Sequence, residues 1–292
     1  MRIAHSFWSV PLKEKFFGDK DYKILETRIY YALSVYYVHN NGYEIDLYTD
    51  KDGAKILEGI PYDNIYIIEN SITDKPYLAA SIKFEALKRM QLGDVLIDGD
   101  LFLTQKPVYD ILEKQQYDIC ASTLECIDDV NTQNSRRIST FLYNSTIWPF
   151  RNLNWSAQYN VPDYKNLFGF YNTSVMQFNN QQLKDEYILQ YIQSCKIIED
   201  SIASGVIDFN KQSEDNKVWP DILIEQLHLT QLIENSKYTI QILDKYKTDK
   251  YCDYIGFFHA GGQKAQLYES IKNILKSNSI ELYNIATYEN AK

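Results

Sequence analysis

The alternation of short apolar runs with amphipathic segments constrains this 292-residue chain more than any other feature. The pattern predicts strands at Ile3 to Trp8, Glu44 to Thr49 and Asn64 to Ile68. Apolar residues at helical spacing predict helices from Asp21 to Asn40 and from Leu78 to Met90. Strands that alternate with helices form a mostly parallel sheet with helices on both faces. The sequence therefore predicts an α/β protein.

The second half continues the α/β pattern with more decoration. A predicted strand from Leu167 to Phe178 precedes a long helix from Gln181 to Ala203, and a further helix runs from about Pro220 to Glu234. Gly261-Gly262 is predicted to open the last helix, which ends near Lys276. The sequence has no internal repeat and no obvious linker, so we expect a single domain.

The charge balance excludes several classes of function. Lys and Arg number 30 against 39 Asp and Glu, a formal net charge of -9. This balance disfavours a general nucleic-acid binder, which needs a basic face, and a polybasic lipid anchor. No apolar run approaches the ~20 residues of a membrane helix, and the first residues are too polar for a signal peptide. We expect a cytoplasmic protein, with peripheral contact at the inner membrane face as the alternative.

The cysteines do not form a recognisable framework or metal motif. They show no C-x-x-C spacing, which favours free thiols in a reducing compartment. The four residues are Cys120, Cys126, Cys195 and Cys252.

Three D-x-D tripeptides occur, and their sequence context separates them. Asp19 and Asp21 lie at a predicted helix start, and Asp50 and Asp52 at a predicted turn or helix cap. Only Asp98-Gly99-Asp100 lies between two apolar segments. Neighbouring carboxylates repel each other unless a positive charge offsets them, and the intervening glycine allows a ligand to approach closely. Because hard oxygen ligands suit Mg²⁺ or Mn²⁺, this tripeptide predicts a metal site, with a polar turn as the alternative.

A second signal lies about 160 residues later. His259 follows an apolar run and precedes a glycine pair and a predicted helix start, a setting that suits an anion or a metal. Lys264 adds a positive charge nearby. Alone, His259 would be interpreted as structural, but with Asp98 and Asp100 it becomes a candidate third metal ligand. The remaining histidines have no comparable setting and are interpreted as structural: His5, His39 and His228.

Together these motifs resemble those of metal-dependent glycosyltransferases of the GT-A fold. The shared features are a D-G-D after an apolar strand, an aromatic-rich middle, and a late H-x-x-G with a following lysine. The resemblance is to the family 8 type and to related small bacterial glycosyltransferase-like proteins, and it runs from residue 1 to about 276. It implies one GT-A-like domain over 1–292, with a nucleotide-sugar-binding half at 1–125 and an acceptor and sugar-site half at 126–292 that ends in a helix. It also implies Mn²⁺ or Mg²⁺ held by Asp98, Asp100 and His259.

The same resemblance implies roles for further residues. The segments Ser6–Ser9 and Leu47–Asp50 resemble the strand ends that hold the nucleoside base, and Lys83 resembles the basic residue that meets the donor diphosphate. Phe170–Asn179 resembles the strand that floors the sugar site, and Trp219–Leu229 resembles the helix near the reacting sugar. The implied donor-binding residues are Phe7, Trp8, Thr49, Asp50, Lys83, Gly99, Asn172, Gly262 and Lys264, and the implied catalytic residues are Glu225 and Gln226.

Three positions depart from the family pattern. Ser174 stands where the family usually has glycine, and Glu225 replaces the usual aspartate. Lys264 comes one residue early and is not followed by Pro-Trp.

The expected activity is transfer of a sugar from a nucleotide-sugar donor, a UDP-sugar in particular, to a glycan or another small acceptor. Retention of anomeric configuration is expected; inversion would need a base, for which Glu225 and Asp221 are candidates. The alternative function is a non-catalytic nucleotide-sugar or glycan-binding protein with a relic transferase fold. A nucleotidyltransferase is disfavoured because no glycine-rich basic loop follows the first strand. Four aromatic residues of the irregular middle could stack on an acceptor sugar or pack a loop: Trp148, Trp155, Tyr159 and Tyr164.

Overall fold

The structure is a computed structural model that describes residues 1–14, 20–126, 169–205, 219–234, 236–244, 256–260 and 264–288. Its strands, in chain order, are β1 (Ile3–Phe7), β2 (Ile45–Thr49), β3 (Asn64–Ile67), β4 (Val95–Ile97), β5 (Leu101–Leu103), β6 (Ile119–Cys126), β7 (Gly169–Phe178), β8 (Ile240–Asp244) and β9 (Phe257–His259). A seven-stranded sheet has the order β3-β2-β1-β4-β7-β6-β8, and β5 pairs with β9 in a second sheet. All pairs of the large sheet are parallel except those that β7 makes with β4 and β6. The mostly parallel sheet confirms the predicted α/β class.

Helices cover both faces of the large sheet. They are α1 (Val10–Lys13), α2 (Lys20–Asn40), α3 (Lys51–Ile56), α4 (Ser81–Arg89), α5 (Lys106–Lys114), α6 (Gln181–Ala203), α7 (Trp219–Glu234), α8 (Lys264–Asn278) and α9 (Ile280–Thr287). Side chains alternate between the faces of β1: Ala4 packs into a core with α4, α6 and α7, whereas Ile3 packs into a second core with α2, α5, α8 and α9. Among the described helices, none is long and apolar enough to cross a bilayer.

The strand order places a switch point between β1 and β4. From β1 the chain moves outward to β2 and β3, and then returns to the other side of β1 with β4. Loops after β1 and β4 therefore diverge, and ligands of open α/β sheets bind at such a crevice beyond the carboxyl ends of the strands. Because β7 runs antiparallel to β4, its first half lies beside this edge: the Asp98 N–H donates to the Ser174 carbonyl at 2.9 Å.

Several element boundaries differ from the sequence predictions. The predicted helix from Leu78 begins at Ser81. The predicted last helix continues to Asn278, and α9 follows it almost immediately. Ser279 makes this break because its hydroxyl caps α9 by accepting a hydrogen bond from the Leu282 N–H at 3.2 Å. With no glycine or proline at the junction, the sequence pattern carries little signal for the break.

The predicted irregular middle lies outside the described residues. The same holds for the four aromatic residues singled out there, and for Asp19, Cys252 and Gly262. Of the predicted free thiols, Cys120 and Cys195 are free and buried.

Arg28 on α2 joins three helices from a position that is only 1% exposed. Its guanidinium donates to the carbonyl oxygens of Ile56 and Glu58 at the end of α3. It also donates to those of Ile285 and Ala286 in the last turn of α9, at 2.5 and 3.0 Å. The Arg28 guanidinium thus supplies a donor to four carbonyl oxygens at helix ends, of which that of Ile285 also accepts from the Tyr288 N–H at 3.4 Å.

We expect the Arg28→Met variant to lose on the order of 3–5 kcal/mol of unfolding free energy, because it leaves buried carbonyls without a donor. Urea denaturation followed by circular dichroism measures this loss. Lys272→Met is the control, since Lys272 pairs over 3.8 Å with Glu269, whose side chain is 71% exposed. The control should lose about 1 kcal/mol or less. Equal losses in the two variants would contradict the role of Arg28.

Candidate metal and anion site

A tight turn between β4 and β5 places two carboxylates at the switch point. The Leu101 N–H donates to the Asp98 carbonyl at 3.0 Å, which closes the turn. Gly99 lies against the ring of Tyr31, where an added Cβ would come within 2.0 Å of the ring. The Tyr31 hydroxyl donates to the Ser6 carbonyl at 2.9 Å and so fixes that ring. Residue 99 is therefore glycine because of close packing.

The second sheet brings His259 over this turn. Leu101 of β5 lies opposite His259 of β9 in the antiparallel pair, and the Ala260 N–H donates to the Asp100 carbonyl at 3.0 Å. The His259 Nε2 lies 3.9 Å from Asp98 Oδ2 and 3.6 Å from Asp100 Oδ2. One potential ligand atom from each of these three residues lies within 4.8 Å of the others. The structure thus assembles the predicted trio into a group that could hold a metal ion.

Two lysines from different helices flank the trio. Lys264, at the start of α8, places its Nζ 3.1 Å from Asp100 Oδ2. Lys83 on α4 places its Nζ 2.6 Å from Asp98 Oδ1 and 2.9 Å from Glu225 Oε1 on α7. The cluster therefore holds three carboxylates against two ammonium groups, with His259 between them.

The mutual attraction of these charges outweighs the effect of burial on several pKa values. Burial opposes the charged form of Lys83, but Asp98 and Glu225 raise its pKa above the ordinary value. Burial likewise opposes the charged form of Asp100, but Lys264 and His259 hold its pKa well below the usual range. Both groups remain charged near neutral pH. By contrast, burial raises the pKa of Glu225 even though Lys83 lowers it in part.

The residues fit a divalent cation on two grounds. The Asp100 Oδ2 is buried and makes no hydrogen bond to any described residue, although the Lys264 ammonium lies close enough for electrostatic attraction. Two carboxylates and an imidazole also form a donor set that suits Mn²⁺, and the carboxylates suit Mg²⁺.

Asp221 lies one helical turn before Glu225 and anchors α7 to its neighbours. It is 4% exposed, and its carboxylate accepts hydrogen bonds of 2.5 Å from the Tyr191 hydroxyl and the Ala80 N–H. Ala80 precedes α4, so this anchor also sets the position of Lys83. Burial raises the pKa of Asp221 to about 7, despite both hydrogen bonds. The i, i+4 spacing of Asp221 and Glu225 puts both acids on one face of α7.

The predicted sugar-site residues occupy the neighbouring surface. Asn172 is on β7, where its Oδ1 accepts hydrogen bonds from the Ser122 hydroxyl at 2.8 Å and the Ser174 N–H at 2.9 Å. Gln226 is partly buried on α7, next to Glu225. Asn172 thus has structural partners of its own, and its sugar contact stays a prediction.

The predicted nucleoside residues lie near the carboxyl ends of β1 and β2. Phe7 and Trp8 are each 8% exposed, and the buried Thr49 hydroxyl donates to the Phe7 carbonyl at 2.7 Å. Asp50 caps α3 by accepting from the Gly53 N–H at 3.0 Å, and its other oxygen accepts from the Ser9 hydroxyl at 2.5 Å. The capping interpretation of Asp50 is confirmed, while nucleoside binding by these residues stays a prediction.

The other histidines have protein partners, as a structural role requires. His5 is buried and its Nε2 lies 3.0 Å from the Ser34 hydroxyl oxygen. His228 is buried with its Nε2 2.5 Å from Ser194 Oγ, and His39 pairs with Asp63 at the surface.

Comparison with known proteins assigns a family but no activity. The model of a family described as "Family of unknown function (DUF6734)" matches residues 1–149. No curated protein matches the chain. Among solved structures, a crystal structure of the galactosyltransferase LgtC with donor and acceptor sugar analogs aligns with 96% of this chain and 100% of its own. The identity is 9% and the TM-score 0.36, which is too little similarity to transfer a function to this chain.

The raised pKa of Asp221 predicts a pH dependence of stability. The folded state keeps the Asp221 proton from about pH 4 to about pH 7, whereas the unfolded state releases it near its ordinary pKa of 3.8. The contribution of Asp221 to stability therefore falls as the pH rises through this window and levels off above it, by about 1.4 kcal/mol per pKa unit. Asp221→Asn removes this contribution and keeps the side-chain shape.

Urea denaturation of both proteins from pH 5 to pH 8 tests the point. The stability of the wild type minus that of the variant should fall between pH 5 and pH 7. A difference that stays constant with pH would contradict a raised pKa.

Proposed function

We propose that this chain, which belongs to the DUF6734 family of unknown function, is a glycosyltransferase that uses a nucleotide-sugar donor. The observation that carries the proposal is the trio of Asp98, Asp100 and His259, flanked by two lysines at the switch point of the sheet. A site that can hold a divalent cation beside two lysines suits a diphosphate, because a metal ion and an ammonium group both attract phosphate oxygens.

Different residues of the site are proposed to bind different parts of the donor. Asp98, Asp100 and His259 hold Mn²⁺ or Mg²⁺, which when bound supplies positive charge beside the diphosphate. Lys264 contacts a phosphate oxygen, and Lys83 orients Asp98 and Glu225 and adds charge on the other side. Phe7, Trp8, Thr49 and Asp50 bound the nucleoside site; Gly99, Gly262 and Asn172 complete the donor site. We propose a UDP-sugar as donor and a glycan or another small molecule as acceptor. The proposed location is the cytoplasm, where nucleotide sugars are supplied.

The chemical step exchanges one bond at the anomeric carbon. The bond to the diphosphate oxygen breaks, and the diphosphate leaves with the electron pair. An acceptor hydroxyl oxygen forms the new bond on the face that the diphosphate leaves, and gives its proton to the diphosphate. Because the old and new bonds are on the same face, the anomeric configuration is retained. Preorganised positive groups stabilise the charge that develops on the leaving group. Glu225 and Gln226 lie on the opposite face of the sugar, where the Glu225 carboxylate stabilises the developing positive charge at the anomeric carbon.

Loss of one metal ligand should abolish the rise in Tm that the donor causes. A ligand at 100 times its dissociation constant stabilises the folded state by about 2.7 kcal/mol, which raises Tm by a few degrees. We expect one member of a panel of UDP-sugars to raise the Tm of the wild type in the presence of Mn²⁺, and not that of Asp100→Asn.

Asp52→Asn is the matched control, since Asp52 belongs to another D-x-D and pairs at the surface with Lys13 and Lys55. It should respond as the wild type does. If no donor raises the Tm of the wild type, or if the Tm of Asp100→Asn rises equally, the proposal of a metal-dependent donor site is wrong.

Turnover distinguishes an enzyme from a binding protein with the same site. Glu225→Gln keeps the shape of the side chain and removes its charge, so we expect kcat to fall about 100-fold or more while the donor-induced Tm shift persists. Sugar transfer and donor hydrolysis, followed by release of the nucleoside diphosphate, provide the measurement. Donor binding without turnover in the wild type, across a panel of acceptors, would favour the non-catalytic alternative.

A further inference from the structure

We infer that Lys264 competes with a divalent cation for Asp100 when no donor is present, and cooperates with that cation once a diphosphate is bound. This inference rests on the proposed function and concerns how the cation and the diphosphate change each other's affinity at the same site.

The competition follows from which carboxylate oxygen each lysine contacts. Lys264 contacts Oδ2 of Asp100, the same oxygen that lies 3.6 Å from His259 Nε2. A cation held between His259 and this oxygen meets the Lys264 ammonium at close range. Lys83 differs, because it contacts Oδ1 of Asp98 and leaves Oδ2 toward His259. Of these two lysines, it is therefore Lys264 that has to leave its carboxylate oxygen when a cation binds.

The position of Lys264 on its helix makes this exchange favourable. Lys264 lies in the first described turn of α8, where the partial positive charge of the helix end disfavours a cation and favours an anion. The side chain is 45% exposed, whereas that of Asp100 is 7% exposed, so the lysine can turn away while the aspartate stays in place. The Tyr30 hydroxyl meanwhile holds the Lys264 carbonyl at 2.7 Å. The backbone is thus anchored and the ammonium is free to change partners.

A diphosphate gives the displaced ammonium a new partner. With the cation on Asp100 and Lys264 on a phosphate oxygen, every charge of the cluster is again opposed. Because coupling between two ligands is reciprocal, the diphosphate then raises the affinity for the cation, and the cation raises the affinity for the diphosphate.

Replacement of Lys264 should change the two affinities in opposite directions. Lys264→Met removes the charge and keeps most of the apolar stem. We expect Mn²⁺, titrated alone and followed by the electron paramagnetic resonance of the free ion, to bind the variant roughly fivefold more tightly, the order expected for a partly exposed ion pair. We expect UDP, titrated at saturating Mn²⁺ by calorimetry, to bind roughly fivefold more weakly.

Matched variants separate a specific effect from a general change in charge. Lys272→Met removes the same charge from the same helix, where Lys272 lies 3.8 Å from Glu269, and should leave both affinities within twofold of the wild type. Lys264→Gln should repeat the result of Lys264→Met and serves in its place if that variant folds poorly by circular dichroism.

The outcomes distinguish this inference from the proposed function. If Mn²⁺ binds the wild type and the Lys264 variants with equal affinity, or the variants more weakly, the competition is wrong and the donor site can still stand. If Mn²⁺ binds no form of the protein, with or without UDP, both proposals are wrong. If the wild type binds Mn²⁺ but not UDP, the proposed UDP donor is wrong, and the Mn²⁺ titrations alone decide the competition.

Discussion

The enclosure of two carboxylates at the edge of the sheet is the constraint on which the rest of the site depends. Asp98 and Asp100 follow β4 directly, and neither can be buried there without opposing charge. The charges come from Lys83 on α4 and Lys264 on α8, and His259 comes from the second sheet. A tripeptide in the first half of the chain thus requires elements from both halves to assemble around it, because only tertiary structure supplies the compensating cations.

The sequence predicted the parts of this arrangement that arise from local patterns. Alternating apolar runs indicated the α/β class, and the apolar segments around Asp98-Gly99-Asp100 distinguished that tripeptide from the other two. The geometry brings His259 close to these aspartates, since β5 and β9 pair in the register that this needs; that the three residues bind a metal ion stays a prediction. In an antiparallel pair the end of one strand lies beside the start of the other, so the end of β9 lies beside the turn that precedes β5.

Contacts between distant segments carried no comparable signal. The pair of Lys83 and Glu225 spans 142 positions, and nothing in either helix pattern indicates that the two side chains meet. The same applies to Tyr31, whose ring explains why residue 99 lacks a side chain, and to the anchor that Asp221 gives to α4. Family membership does not supply these contacts either, because the matched residues end at 149 and the second half contributes Glu225, His259 and Lys264.

The buried guanidinium of Arg28 bears on where this protein can be divided. Half of its acceptors are the last carbonyls of α9, more than 250 positions away along the chain. A fragment limited to residues 1–149 would keep the guanidinium and lose those acceptors, together with α8 and α9, which pack on the same face of the sheet as α2 and α5. The end of the family match at residue 149 therefore does not separate two structurally independent parts of the protein. Recombination or truncation at that position would separate a buried guanidinium from the carbonyl oxygens to which it donates. The segment that can be exchanged between proteins without breaking these hydrogen bonds must therefore include both α2 and α9.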